Sequence, residues 1–380
     1  MSNQSDCKSN FIVTPGNQLQ CFMLEGDKMK LKLEQSKKKA IRKSVERIKE
    51  ENSLINIVTE LKALSPILVT GSSGYLGRAI VETLRAHEIP TIGIDLVNAT
   101  TTDFIGCVSD KEFLSKTMQS GCKSIVHTAA LHAPHRDFYS EKEYERINIF
   151  GTQNILTAAH ELNINFLVYS STTSLMITNE VKRREKIGDH PVILNESTDY
   201  GTPRNVYGHT KKIAEKICSD NKNVNVAILR CSRFFIEDGF NTAIGQSGRG
   251  VQSLSNGNFK ANEILCGTRA SLEDTVIAHL VALKKLGTDE KNSADCKSVI
   301  GPLIISAISP LLSNSFDVSL IKDSSLYKKC LWTPPSSTSR IYDSINSWKQ
   351  LHICPKWNLH RLLTDYEQKI NVEIIQNGYY

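Results

Sequence analysis

A chain of 380 residues, 40% of them apolar, can bury a full core and exceeds the usual size of one domain, so one large α/β unit with an appended lobe, or two domains, is expected. Much of the formal charge of +6 falls in residues 28–50, which leaves the globular part without a nucleic-acid reading. Ten cysteines with no Cys-x-x-Cys pair argue against a disulfide frame or zinc site, and no apolar stretch reaches the ~18 residues of a membrane span.

Residues 1–64 read as an N-terminal extension. Its start is polar and is expected to be disordered, without the apolar core of a signal peptide or the acid-poor character of a transit peptide, so the cytoplasm is the expected compartment. Met29 to Leu64 reads as one or two basic helices carrying Lys37-Lys38-Lys39, with a solvated charged helix as the plain reading and a partner or membrane-surface contact as the sharper one. From Pro66, short apolar runs alternate with helical periods, the pattern of βαβ units and a Rossmann-type, doubly wound parallel sheet. Strands are predicted at Ile67–Thr70, Thr91–Asp95, Ser124–His127, Asn165–Ser170 and Asn225–Arg230, and helices at Tyr75–His87, Lys111–Ser120, Glu143–Leu162 and Val206–Asp220. Beyond Cys231 the rhythm breaks, apart from a helix at Glu273–Lys285 and a strand at Leu303–Ala307. The expected organisation is a dinucleotide-binding domain over 65–232 and, over 233–380, mainly a smaller C-terminal substrate lobe with some elements returning to the Rossmann core.

Gly71, Gly74 and Gly77 follow the first strand and open the first helix, the context that the dinucleotide fingerprint requires. The first glycine permits a tight turn, the second lets main-chain amides approach a pyrophosphate, and the third allows helix and strand to pack closely. Asp95 ends the second strand, where a carboxylate can accept from a ribose 2′-hydroxyl and repel a 2′-phosphate, so the reading is NAD rather than NADP. The competing reading is a glycine-rich structural turn beside an N-capping acid.

Tyr207 and Lys211 lie in Asn205-Val206-Tyr207-Gly208-His209-Thr210-Lys211, one helical turn apart. A phenol with its pKa near ~10 needs a cation close by to act as a base near neutrality, and a lysine at this spacing supplies one. On any charged helix such a pair is commonly a solvated face; the glycine turn upstream is what points it to nicotinamide redox chemistry.

Further segments stand in a telling order: His127-Thr128-Ala129-Ala130, Asn148-Ile149-Phe150-Gly151-Thr152-Gln153-Asn154-Ile155-Leu156, Ser170-Ser171-Thr172-Thr173, Ser271-Leu272-Glu273-Asp274 with Ala278-His279-Leu280, Arg340-Ile341-Tyr342-Asp343, and Pro355-Lys356-Trp357. With Thr70-Gly71-Ser72-Ser73-Gly74-Tyr75-Leu76-Gly77 before them, the chain resembles the extended short-chain dehydrogenase/reductase family, the NAD-dependent epimerase/dehydratase group, over roughly residues 66–365. The resemblance implies NAD held by Gly71, Gly74, Tyr75, Leu76, Gly77, Asp95 and Ala129, with an adenine contact at Asp110; the cysteine and histidine pattern gives no metal site. It also implies a catalytic set of Thr172, Tyr207 and Lys211, the last two facing the cofactor as well. Tyr207 would exchange a proton with a substrate oxygen, Lys211 would lower the phenol pKa together with the cofactor's positive ring, and Thr172 would fix the same oxygen. A homodimer through the helices around Asn148–Leu162 and Tyr207–Asp220 is implied by the same resemblance, which has no counterpart for the N-terminal 65 residues.

Other residues carry two readings each. Asn148 either holds a backbone bend or a water in a proton path, or is a structural helix residue. His132 and His135 flank a proline on a loop, where loop structure is favoured over substrate contact and a metal pair lacks a third ligand. Lys182-Arg183-Arg184-Glu185-Lys186 is either a basic lip for a phosphorylated substrate or a solvated insertion, and Arg269 does not stand at the spacing of a diphosphate-gripping arginine. The expected function is therefore NAD-dependent hydride transfer with a small-molecule secondary alcohol or ketone. A nucleotide-sugar epimerase or dehydratase and a non-catalytic dinucleotide sensor are the alternatives.

Overall fold

The computed structural model describes residues 38, 41–49, 51–187, 191–199, 201–234, 268–289, 298–309, 312 and 340–355. The polar start of the extension, Lys37, Lys39, Lys356, Trp357 and the part of the predicted lobe at 235–267 lie outside these residues.

The strands are β1 (Ile67–Thr70), β2 (Thr91–Asp95), β3 (Phe104–Ile105), β4 (Ser124–His127), β5 (Phe166–Thr172), β6 (Val192–Leu194), β7 (Asn225–Cys231), β8 (Arg233–Phe234), β9 (Arg269–Ala270), β10 (Val299–Ile305) and β11 (Arg340–Tyr342). Seven of them form one sheet in the order β10-β7-β5-β4-β1-β2-β3. β1 pairs in parallel with both β2 and β4, in register from Ile67 opposite Thr91 and Ser124. All four residues of β1 are buried, as expected of an inner strand in a parallel sheet covered on both faces. This is the doubly wound α/β fold, and its strand order reverses between β1 and β4, the point at which such sheets bind ligands.

The connecting helices include α1 (Tyr75–Ala86), α2 (Lys111–Met118), α3 (Gly151–Glu161), α4 (Asn179–Ile187), α5 (Val206–Asp220), α6 (Leu272–Asp289) and α7 (Ile345–Leu351). α1 buries Ala79, Ile80, Val81, Thr83 and Leu84 and leaves Gly74 as its extended N-cap. The helix predicted from Glu143 to Leu162 is interrupted: a turn at Glu141–Tyr144 leads through a π-helical segment, Glu145–Phe150, into α3. The segment between Thr172 and Tyr207 holds α4 and β6, and β6 pairs in parallel with β11. By internal contacts the chain forms two interleaved units. One comprises Met1–Tyr169, Ile213–Val226 and Leu283–Val299; the other comprises Ser170–Lys212, Ala227–Ala282 and Ile300–Tyr380.

Within the second unit, Leu175, Met176, Val181, Val192, Leu194, Ile304 and Tyr342 make an apolar cluster under α4 and the β6/β11 pair. The described charges of α4 are paired, among themselves and with Arg340. Glu180 takes both Arg183 and Arg184, each at 2.8 Å or less, while Glu185 takes Lys182 and, at 2.6 Å, Arg340. The described side chains of Lys182–Glu185 are thus engaged in ion pairs, although the cations on the helix still outnumber its two carboxylates.

Within the first unit, the extension has an apolar stripe. Ile41, Ser44 and Ile48 are buried at helical spacing on 41–49, and Leu54, Ile57 and Leu61 repeat the pattern. Leu64 lies so close to α6 that a Cβ on Gly287 would meet its Cδ2 at 2.8 Å, and Ser124 Oγ donates to the Leu64 carbonyl at 2.8 Å. The described part of the extension is therefore buried along one stripe and joined at Leu64 to α6 and β4, not solvated all round. Leu61→Ala should cost about 2–5 kcal/mol of unfolding free energy in urea titration, the range for a buried leucine truncation. A change below about 0.5 kcal/mol would show that this face contributes no packing.

Candidate active site

At the end of β1 the chain turns sharply, and Gly71 adopts φ +70°. A side chain there would strain the backbone and meet the main chain of Ala129 at 2.9 Å, so the turn lies directly against the predicted cofactor residue after β4. A Cβ on Gly77 would fall 2.1 Å from the Gly71 carbonyl oxygen; only glycine lets α1 start this close to the turn. Gly74, by contrast, is exposed, and Tyr75 and Leu76 follow as the first helical residues. Asp95 closes the arrangement: its Oδ2 accepts from Ser73 N at 3.0 Å and its Oδ1 from Val97 N at 3.1 Å. Asp110 caps α2, accepting from Phe113 N at 3.0 Å.

A buried polar chain supports this turn, and sequence reading alone does not reveal it. Ala129 N donates to Thr70 Oγ1 at 3.1 Å, Thr70 Oγ1 and His127 Nδ1 are 2.7 Å apart, and His127 Nε2 lies 3.1 Å from Thr152 Oγ1. Thr152 Oγ1 donates to the Asn148 carbonyl at 2.8 Å. With an amide at one end and a carbonyl at the other, each hydroxyl can only pass the bond onward, so His127 carries its proton on Nε2. Asn148 has a second engagement: its side chain takes Leu131 N at 2.8 Å and Leu131 O at 3.0 Å, pinning the loop after β4 to the π segment. Of the two readings of Asn148, the backbone-holding one is what the geometry displays.

His132 and His135 are taken up by their own loop. His135 Nδ1 accepts from His132 N at 2.9 Å, and Tyr144 Oη donates to the His132 carbonyl at 2.6 Å. Burial lowers the His135 pKa to about 4. Among the described residues, no group of three or more His, Cys, Asp or Glu is placed to hold a metal ion.

In the second unit, Thr172 ends β5 and caps the short 3-10 turn Thr173–Met176, accepting from Ser174 N at 3.1 Å. Asn205 caps α5 by accepting from Gly208 N at 2.8 Å. A Cβ on Gly208 would meet Pro203 and the Ser174 carbonyl at 2.9 Å, so a glycine beside Tyr207 is what lets α5 begin against the Ser174 turn. Tyr207 is buried, and its hydroxyl is hydrogen-bonded to the Thr172 side chain. Lys211, one turn on and also buried, donates from Nζ to the Ser170 carbonyl at 2.5 Å. The structure thus gathers Thr172, Tyr207 and Lys211 at one place.

Burial pushes the Tyr207 phenol above its ordinary range; the Thr172 hydrogen bond opposes this, and the neighbouring Cys231 adds to it. The lowering expected of Lys211 together with the cofactor's positive ring concerns the cofactor-bound protein; in the chain by itself the phenol lies high. Desolvation outweighs the protein groups around it. Cys231, which the sequence did not single out, is likewise pushed up by burial, to about 12, with Lys211 pulling the other way.

A family model described as the NAD dependent epimerase/dehydratase family matches residues 67–257, just over half of the chain. The chain belongs to that family. The matched span begins at the first residue of β1 and takes in the glycine turn, Asp95, Thr172, Tyr207 and Lys211 of this family member. Its similarity to a vaccinia virus (strain Ankara) 3 beta-hydroxysteroid dehydrogenase/Delta 5-->4-isomerase is 33% identity over 167 residues, 41% of this chain and 46% of that protein. A 2-alkyl-3-oxoalkanoate reductase from Shewanella oneidensis is also 33% identical, over 41% of this chain and 39% of its own length. The match spans less than half the length of either relative. A solved short-chain dehydrogenase/reductase superfamily protein from Agrobacterium tumefaciens, with bound NAD, shares the fold at TM-score 0.55 and 20% identity, over 79% of this chain and 95% of that one. No helix among the described residues is long and apolar enough to cross a membrane.

The half-buried His135 ring gives a signed pH dependence. Its folded pKa of about 4 lies below the ordinary 6.5, so the unfolded chain binds the extra proton between these values. Its stabilising contribution is present above the unfolded pKa and is lost as pH falls through the folded one. Going from neutral pH to about 4.5 should cost about 2 kcal/mol of unfolding free energy more in the wild type than in His135→Gln. Equal losses in the two proteins would remove this assignment.

Proposed function

We propose that the protein is an NAD-dependent oxidoreductase that transfers hydride between the nicotinamide and a secondary alcohol or ketone of a small molecule. The observation that carries this reading is the buried contact of Tyr207 with Thr172, with the Lys211 ammonium held one turn away. A cofactor sensor has no use for a phenol and a hydroxyl sharing a hydrogen bond beside a buried cation, whereas proton exchange with a carbinol oxygen requires such a set. The glycine turn, with its close-packed Gly71 and Gly77 and with Asp95 at its side, fits a dinucleotide.

When bound, NAD supplies the hydride acceptor and a positively charged ring. Tyr207 Oη exchanges the proton with the substrate oxygen, Thr172 Oγ holds that oxygen in place, and Lys211 supplies fixed positive charge beside the phenol. A phenol kept protonated by burial is ready to donate to a carbonyl. In the opposite direction it must first lose its proton, so alcohol oxidation rises with pH while carbonyl reduction does not.

The names of the two relatives, a hydroxysteroid dehydrogenase and an oxoalkanoate reductase, support an alcohol–ketone couple. Three cations that could have met a nucleotide diphosphate are engaged within the protein: Arg183 and Arg184 are held by Glu180, and Arg269 Nη1 donates to the Phe234 carbonyl at 3.0 Å. Residues 233–380 are proposed to supply most of the substrate lobe. A reducing, cytoplasmic setting is proposed on the free thiols Cys107, Cys122, Cys218, Cys231 and Cys354, and a homodimer on the exposed Phe150 of the π segment.

With NAD and a panel of secondary alcohols that includes a 3β-hydroxysteroid, the protein should accumulate NADH. Tyr207→Phe should keep NAD affinity within about twofold and lower turnover by at least ~100-fold, the range of a general acid–base contribution. Product formed without net NADH would favour an epimerase, and equal turnover in Tyr207→Phe would remove Tyr207 from the chemistry. Asp95→Asn should weaken NAD binding and narrow its preference over NADP; a wild type that already prefers NADP contradicts the ribose assignment.

A further inference from the structure

His279 lies on α6, fully buried. Its Nδ1 is 2.7 Å from the Thr275 carbonyl, one turn back on the same helix, and its Nε2 is 2.8 Å from Ser170 Oγ. A carbonyl can only accept, so Nδ1 carries the proton and donates to Thr275. In the neutral ring Nε2 is then an acceptor, and the Ser170 hydroxyl donates to it. Burial keeps the ring neutral, with its pKa near 4. The tautomer is therefore set by the helix itself.

Ser170 is engaged twice. Its hydroxyl is held by His279, and its main-chain carbonyl accepts from Lys211 Nζ. We infer that His279 is a positioning residue for Lys211, acting through Ser170: by fixing Ser170, two residues before the end of β5, it aims the carbonyl that holds the ammonium one turn beyond Tyr207. A lysine reaches its site on a flexible four-carbon stem, so the place of its charge is decided by what receives the ammonium. The Coulomb effect on a neighbouring phenol varies with separation and grows in a site shielded from water. Among the described residues, the titratable groups joined to this point are Tyr207 and Lys211 from α5, Cys231 from β7 and His279 from α6. The two thiol and imidazole groups are uncharged near neutrality, because burial raises the one and lowers the other. The catalytic consequence rests on the hydride-transfer reading above; the positioning itself does not.

The test uses the full chain with NAD and three variants. His279→Phe keeps the ring volume but offers Ser170 no acceptor, Ser170→Ala removes the hydroxyl, and His279→Gln restores an acceptor. In crystal structures, Lys211 Nζ should leave the carbonyl of residue 170 in His279→Phe and Ser170→Ala and return to it in His279→Gln. If Lys211 stays on that carbonyl in Ser170→Ala, the inference is overturned, whether or not His279→Phe folds. In turnover, the pH at which alcohol oxidation reaches half its maximum should rise by about one unit in the two disrupted variants, a tenfold change in the fraction of phenolate at a given pH. KM should be unchanged, and the double variant should be no worse than either single one. An unmoved pH profile or additive losses would also overturn it. A wild type without turnover on any alcohol counts against the hydride-transfer reading alone, since the crystal structures still report where Lys211 sits.

Discussion

An ammonium buried at the end of a parallel strand must be received by something, and here the Ser170 carbonyl receives Lys211 at 2.5 Å. That contact ties the chemistry to the fold. The carbonyl lies two residues before the end of β5, α5 starts against the Ser174 turn, and that start is possible because residue 208 has no side chain. A buried cation without a partner costs several kcal/mol, so the arrangement selects strongly for the conformation that supplies one. Tyr207 shares the dry surroundings and responds in the opposite sense, its proton held more tightly by burial. The protein therefore keeps a neutral phenol and a buried ammonium one helical turn apart, the state that the proposed proton donation to a carbonyl would use.

The glycine turn is built on a comparable principle, using close approach instead of charge. Gly71 and Gly77 are required because main chain meets main chain at distances a Cβ would violate, and Ala129 is drawn against them through the Thr70–His127–Thr152 chain. Every polar atom on that path passes its hydrogen bond in one direction. Such a chain holds the loop after β4 rigidly, and the pair of hydrogen bonds between Asn148 and Leu131 extends the hold by two residues.

Features written in adjacent residues were legible in the sequence. The three glycines, Asp95 at a strand end, and a tyrosine and lysine one turn apart are local patterns, and β1, β2, β4 and α5 fall on the bounds read from periodicity. Features set by distant partners were not. The π segment at Glu145–Phe150 carries the engagement of Asn148 with a loop 17 residues earlier, and no helical period announces it. α4 read as a polar insertion because its charges mask Val181, whose burial depends on β6 and on β11 far along the chain. His279 stood within a recognised segment, yet its meaning lies in Ser170, 109 positions away. The raised phenol pKa was missed for a related reason: spacing shows where a cation stands, and only packing shows how much water has been removed.

The most direct test of the account follows the hydride itself. The full chain is incubated with NAD and a secondary alcohol carrying deuterium on its carbinol carbon, such as a 3-deuterated 3β-hydroxysteroid, and the reduced cofactor is examined by mass spectrometry. The account predicts deuterium on the nicotinamide ring with the wild type and almost none with Tyr207→Phe, although both bind NAD. Deuterium transfer that proceeds equally well without the Tyr207 hydroxyl, or tight NAD binding with no transfer from any secondary alcohol, would contradict it.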